Sequence, residues 1–270
     1  MKLIRLRDLL LGLRDLGLGQ APVLVHASLS AFGQVEGGAP TVVTALKNTF
    51  HTILAPAFTY KTMVIPLVGP PDNGLIYGSG KDQNRMAEFF RPKMPVDPLI
   101  GIIPETLRRL PEAQRSHHPI LSFTGLNAER FLNTQTLQEP FAPIGALAQA
   151  DGWVILMGVN HTVNTSIHYA ERLAGRKTFI RWALTPQGVV ECPNFPGCSA
   201  GFQEIAPNVE RYTRFIRIGN ALLQALPLQM LLRAVVNRLH RDPLALLCRN
   251  EMCERCQAVR ADVLKRSKPS

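Results

Sequence analysis

Thr165, His168 and Glu171 recur at intervals of three in the stretch NTSIHYAERLAG. On an α-helix that spacing puts all three side chains on one face. The chemistry it suits is proton transfer. His168 is the candidate general base, Glu171 can orient the imidazole, and Thr165 can donate a hydrogen bond to a developing oxyanion. The helix itself is legible. Asn164 or Thr165 is a good N-cap, residues 166–174 are helix formers, and Gly175 is a natural stop. His168 then lies in the first turn, where the helix dipole works against an imidazolium and so favours a proton acceptor. A His at a helix start also serves simply as a cap, so spacing alone leaves both readings open.

The element that must position this face precedes it. Residues 153–159, WVILMGV, are apolar and rich in branched side chains, as a strand buried on both faces requires. Strand, polar loop and helix place His168 beyond a strand's carboxyl end, where open α/β sheets gather their ligands. A second such unit lies near the start of the chain. The strand PVLVH (22–26) leads into ASLSAFGQVEGGA and then a helix from Pro40 to about residue 48. Gly37 and Gly38 stand just before that helix N-terminus, where free N–H groups suit an anion. The loop carries neither the dinucleotide nor the phosphate-loop fingerprint.

Between these units the chain reads as a strand at 53–58, then a long Gly- and Pro-rich excursion over 60–98 that can shape an acceptor pocket. Pro104 opens a short helix that ends before Pro111. Arg108, Arg109 and Arg115 cluster there, and Arg115 stands beside Ser116, His117 and His118. A strand is expected at 120–123 and mixed helix and loop over 127–150. Residues 178–184 and 189–192 flank TPQG as a β-hairpin. Residues 217–239 are predicted helical, restarting at Pro227. Glu191 and Glu204 compete with Glu171 as partners of His168.

Charge and cysteines narrow the class. The chain has 270 residues, 46% apolar and 19% charged, which suits one α/β domain. A net charge of +10 favours anionic partners such as phosphate-bearing cofactors. Charges interrupt the leucines of the first 20 residues, so an amphipathic helix rather than an export signal is expected, and a cytoplasmic protein with no membrane partner. Cys248, Cys253 and Cys256 form C-x4-C-x2-C, with C-x2-C spaced as in a zinc knuckle. Cys198 is the expected fourth ligand, with Cys192 as its substitute. Such a zinc would staple residues 240–260 to the hairpin loop and leave 261–270 as a frayed tail.

Several separate stretches resemble one family. VHASLSAFGQVEGGAPTVVTAL, GIIPETLRRLPEAQRSHHPILSF, PFAPIGALAQADGWVILMGVNHTVNTSIHYAE and DPLALLC…CERC are similar, in that order, to the aminoglycoside 3-N-acetyltransferases. Their antibiotic N-acetyltransferase fold implies a layered α/β/α architecture with a mixed central sheet. The resemblance implies acetyl-CoA as donor and direct transfer to an amine of a small molecule, with His168 as general base and Glu171 at the substrate mouth. It implies that Ser28 and Leu29, with the loop through Gly37 and Gly38, cradle the cofactor, and that Arg115 and Ser116 lie near it. Members often carry Asp after the loop His, where this chain has Thr162. An aminoglycoside 3-amino group and some other amine therefore both stand as acceptors, for a monomer or homodimer. No nucleic-acid partner is expected. The competing readings are a zinc-stapled basic binding protein without catalysis and, without a G-x-S-x-G elbow, a hydrolase.

Overall fold

The computed structural model describes residues 3–266. Ten strands are named in chain order: β1 Val23–Ala27, β2 Ile53–Pro56, β3 Met63–Val64, β4 Gln114–Arg115, β5 Phe123–Leu126, β6 Trp153–Met157, β7 Phe179–Thr185, β8 Gly188–Phe195, β9 Arg214–Ile218 and β10 Ala221–Pro227. Seven form one sheet in the order β4-β5-β2-β1-β6-β10-β9, and β3-β7-β8 form a smaller one. β1 runs parallel to β2 and β6, while β5, β4, β10 and β9 pair antiparallel, so the central sheet is mixed.

Alternation along the central strands sorts the core into two layers. Leu24, Val154 and Leu156 face one way; Val23, Val25, Ile155 and Met157 face the other. Helices α1 (Leu6–Asp15), α2 (Ala39–Thr49) and, beyond the short α3 (Lys81–Arg85), α4 (Ile102–Arg108) cover the second face. The first face is covered by α5 (Glu129–Leu132), α6 (Ala142–Gln149), α7 (Ser166–Leu173) and, after α8 (Ala206–Val209), α9 (Leu228–Arg241). This is the expected α/β/α layering.

The layering positions the site. β1 hands the chain to α2 on one face, and its parallel neighbour β6 hands it to α7 on the other. Loops leaving adjacent strands for opposite faces open a crevice at the strands' carboxyl ends. Gly158 ends β6 at φ +68, and a Cβ there would meet the Ala31 Cβ at 2.3 Å. Only glycine lets the two loops close together at that point.

The expected helix over 217–239 is half wrong. Residues 214–227 form the β9–β10 hairpin, and α9 starts only at Leu228. β10 pairs along the free edge of β6, from Leu223 opposite Met157 to Pro227 opposite Trp153, and closing that edge outweighs local helix propensity. Gly219, at φ +57, makes the two-residue turn and leaves no room for a side chain, since a Cβ would lie 2.2 Å from Ile4 Cδ1. The strand expected at 120–123 begins at Phe123 instead. At the C-terminus α10 (Glu254–Arg266) keeps 261–266 of the expected tail helical, and 267–270 lie outside the described residues. No helix among the described residues is long and apolar enough to cross a membrane.

Candidate active site

His168 stands where the strand–loop–helix reading put it, in the first turn of α7. Thr165 is the N-cap residue but its side chain makes no capping bond; Asn164, one residue earlier, braces the helix start instead. Its Oδ1 accepts from the Ser166 N–H at 3.2 Å, and its Nδ2 meets His161 Nδ1 at 3.2 Å. Thr165 is the next residue; its hydroxyl makes no hydrogen bond among the described residues and it lines the cleft.

The imidazole is held from three sides. Its Nδ1 lies 2.8 Å from Glu171 Oε2. Phe141 stacks on it at 6.0 Å between ring centroids, and Phe202 packs edge-on at 4.7 Å. Glu171 is itself anchored, because Arg176 Nη1 donates to its Oε1 at 2.7 Å. Arg176 Nη2 in turn donates to the Pro243 and Ala245 carbonyls, both at 2.7 Å. A carboxylate accepting from Nδ1 fixes the tautomer with the proton on that nitrogen, so Nε2 carries the lone pair. His168 lines the cleft. The competing acids are elsewhere. Glu191 is exposed on β8, and Glu204 is exposed and pairs with Arg249 at 3.4 Å.

The cleft has a volume of about 1340 Å³ and runs between the β1 and β6 loops. Ser28 and Leu29 line it, as does Ser30, whose Oγ meets the Ser28 Oγ at 3.0 Å. Gly37 and Gly38 do not line it; both have positive φ and form the turn that starts α2. The excursion over 60–98 supplies a lip, with Tyr60, Met63 and Gln83 lining the cleft. β1 contributes His26, which no motif marked out. It is buried, its Nε2 has no hydrogen-bond partner among the described residues, and burial with a smaller push from His161 drops its pKa to about 3.

Arg115 and Ser116 are not brought to this cleft. They line a separate cavity of about 420 Å³. The guanidinium is spent on the fold, donating to the Ala57 carbonyl at 2.5 Å, the Ser122 hydroxyl at 3.0 Å, and the Pro92 and Met94 carbonyls. Burial, then repulsion from Arg108, lowers its pKa to about 10. Ser116 Oγ accepts from the Phe123 N–H at 2.8 Å across β4 and β5.

The four favoured cysteines do converge. The Sγ atoms of Cys198, Cys248, Cys253 and Cys256 lie within 4.8 Å of one another. Tetrahedral zinc with sulfur at about 2.3 Å separates its ligands by roughly 3.8 Å, so the cluster fits that ion. Burial pushes the Cys253 thiol up, but hydrogen bonds from the Cys256 backbone and the neighbouring thiols more than reverse it and hold it below the ordinary range. Cys192 is no substitute ligand. It is fully buried in the core from β8, and burial pushes its thiol to about 12.

Two arginines of the cleft also escaped the sequence reading, Arg181 and Arg255. A signal existed for the first. Phe179, Arg181 and Ala183 alternate as buried positions along β7, so a charge sits on an apolar face. Arg255 is hidden inside the zinc-type spacing, between Cys253 and Cys256.

The family model for aminoglycoside 3-N-acetyltransferases matches residues 24–240. Aminoglycoside N(3)-acetyltransferase IV of a Salmonella species is 32% identical over 167 residues, covering 59% of this chain and 56% of that enzyme. The match thus spans little more than half that relative's length. The solved apoenzyme of aminoglycoside acetyltransferase AAC(3)-IVa superposes with a TM-score of 0.79 at 25% identity, covering 97% of this chain and 98% of that one. AAC-IIIb, solved as a binary complex with CoASH, shares the fold with a TM-score of 0.72 at 24% identity, covering 89% and 97%.

Proposed function

Because the chain belongs to the aminoglycoside 3-N-acetyltransferase family, we propose that it is an N-acetyltransferase that moves an acetyl group from acetyl-CoA to an amine of a small molecule. The observation that carries this reading is the 2.8 Å contact between His168 Nδ1 and Glu171 at a cleft between two strand-end loops. The CoASH held by a relative of the same fold supports the donor. An aminoglycoside 3-amino group is the acceptor that the relatives' names suggest; another small amine fits the same chemistry.

Acetyl-CoA supplies an acyl carbon already activated as a thioester. What remains for the protein is to position the amine, remove its proton and stabilise one oxyanion. His168 Nε2 takes a proton from the amine nitrogen as that nitrogen bonds to the acyl carbon. The carbon–sulfur bond then breaks, and the departing sulfur takes that proton back from the imidazolium to leave as the thiol of CoA. Glu171 holds the ring and balances the imidazolium formed in between. The Thr165 hydroxyl is the side-chain donor in this cleft for the carbonyl oxygen as charge grows on it. Ser28 and Leu29 are the proposed cradle for the cofactor's arm. Arg115 and Ser116 leave that list, since they line a different cavity.

The test is release of free CoA from acetyl-CoA with a panel of amines, aminoglycosides included. Acceptor-dependent release supports the reading, and thioester cleavage without any acceptor would replace it with hydrolysis.

A second part of the reading is a structural zinc ion held by Cys198, Cys248, Cys253 and Cys256. Four thiolates would close its coordination, so it would hold the C-terminal segment to the loop after β8 rather than act on substrate.

A further inference from the structure

A second part of the cleft brings two cations together, Arg181 and Arg255, with no carboxylate among its lining residues. Arg181 is 4% exposed. Its guanidinium donates to the carbonyls of Ile180 at 2.7 Å, Asn73 at 3.0 Å and Gly74 at 3.1 Å. The rings of Phe195 and Phe179 lie at 5.1 and 5.6 Å. Carbonyl dipoles and ring faces solvate the charge but do not neutralise it. Arg255 is half-buried, and its one hydrogen bond among the described residues goes from Nη1 to the Gly197 carbonyl at 3.1 Å.

These two arginines repel each other. Burial and then Arg255 lower the pKa of Arg181 to about 10, and it stays charged at neutral pH. Tyr77 and then Glu254 pull the other way, but neither lines the cleft. Tyr60 also lines the cleft, and its hydroxyl makes no hydrogen bond among the described residues. Burial, and then Asp97, push that hydroxyl to about 12, so it remains a donor. Among the described residues, none of the side chains lining the cleft is a carboxylate. Glu171 lies behind His168 and is committed to Arg176.

Arg181 has no ion-pair partner among the described residues, and a desolvated cation in that state is costly; a bound anion lowers that cost. A polycationic acceptor would instead add to the repulsion. We infer that Tyr60, Arg181 and Arg255 form an anion subsite of the cleft, which takes a carboxylate or phosphate carried by the ligand. The inference rests on the acetyltransfer reading for the identity of that ligand. The anion belongs either to the acceptor, which is then an amine bearing an acid group, or to a phosphate of CoA.

The experiment compares the wild-type protein with Arg255→Gln and Arg255→Lys. Titration with inorganic phosphate needs no turnover. Arg255→Gln should bind it about tenfold more weakly, with Arg255→Lys between. Steady-state CoA release then finds the source. If the acceptor carries the anion, an acid-bearing amine outperforms its neutral amide counterpart, and Arg255→Gln removes that preference through KM. If CoA carries it, Arg255→Gln weakens CoA binding about tenfold with acceptor preference unchanged. Equal phosphate affinity in all three proteins, or an aminoglycoside preferred over every acid-bearing amine with CoA affinity unchanged, overturns the subsite. No CoA release with any amine alongside the phosphate difference would sink the acetyltransfer reading and leave the subsite standing.

Discussion

Two parts of the cleft are built in opposite ways. The His168 part comes from one run of chain, and its charge is balanced in advance: Glu171 stands between His168 and Arg176, both within 2.8 Å. The Arg181 part is assembled from residues near 60, 74, 181, 197 and 255, and its two cations have no acid lining the cleft with them. A proton-transfer group must be oriented before the ligand arrives, so its partners are internal. A recognition site does the reverse and leaves its charge for the ligand to complete.

The largest effect should come from breaking the prepared part. His168→Ala should lower acceptor-dependent CoA release by roughly 10²–10⁴-fold while acetyl-CoA binding persists. The measurement is steady-state turnover beside a binding titration. Unchanged turnover would remove His168 from the mechanism and, with it, the functional half of the contrast.

The recognition part depends on the cysteine cluster, because Arg255 sits between two of its thiols. Metal analysis should find about one zinc per chain. Cys256→Ser should cost about 3–5 kcal/mol in stability, as loss of a structural metal ligand does, with the loss read from denaturant midpoints. A protein that contains no metal as purified, and that binds none when zinc is added, would leave four clustered thiols with only packing to explain them.

Glu171→Gln is a narrower cut into the prepared part. The amide keeps the shape but gives up the charge that Arg176 and the His168 N–H both meet. Turnover should fall by roughly 10–100-fold, and stability by about 2 kcal/mol, since the Arg176 guanidinium stays buried beside a neutral partner. A loss of stability with full turnover would make Glu171 a purely structural anchor.

The same contrast explains what could be read from the sequence. β6, its loop and α7 were legible because 153–175 carries the strand, the cap and the candidate catalytic face in one piece. The choice among Glu171, Glu191 and Glu204 was not, beyond the helical spacing that favoured the first. Arg115 has the right residue type for a phosphate, but its fork is used up on carbonyls from residues 57, 92 and 94, a matter of tertiary contact. The fourth cysteine was likewise a choice between two. Cys192 is turned into the core from β8, and Cys198, past the strand's end, is free to reach the others. β9 and β10 were misread because their partner is the edge of β6, some 70 residues earlier, and local propensity carries no record of an edge.

The smallest expected effect concerns buried neutral histidines away from the uncompensated part of the cleft. Burial lowers the pKa of His118 to about 4, with a backbone hydrogen bond opposing it. The ring accepts from the Ile120 and Leu121 N–H groups through Nδ1, at 3.2 and 3.0 Å. Nε2 therefore carries its proton, and it has no hydrogen-bond partner among the described residues. A folded pKa below the unfolded one means that the unfolded chain binds more protons between pH 6.5 and 4. The stability from the neutral ring is full above the unfolded pKa of 6.5 and is lost as pH falls towards the folded value of about 4. At pH 5 the loss from this one group is about 2 kcal/mol. His118→Asn keeps an acceptor for the two N–H groups and cannot titrate. Denaturant unfolding at pH 7.5 and pH 5 should therefore show a smaller acid loss in the variant, by roughly that amount. Equal losses in the two proteins would mean that the ring takes up a proton in the folded state, and that the cavity beside Arg115 tolerates a second cation.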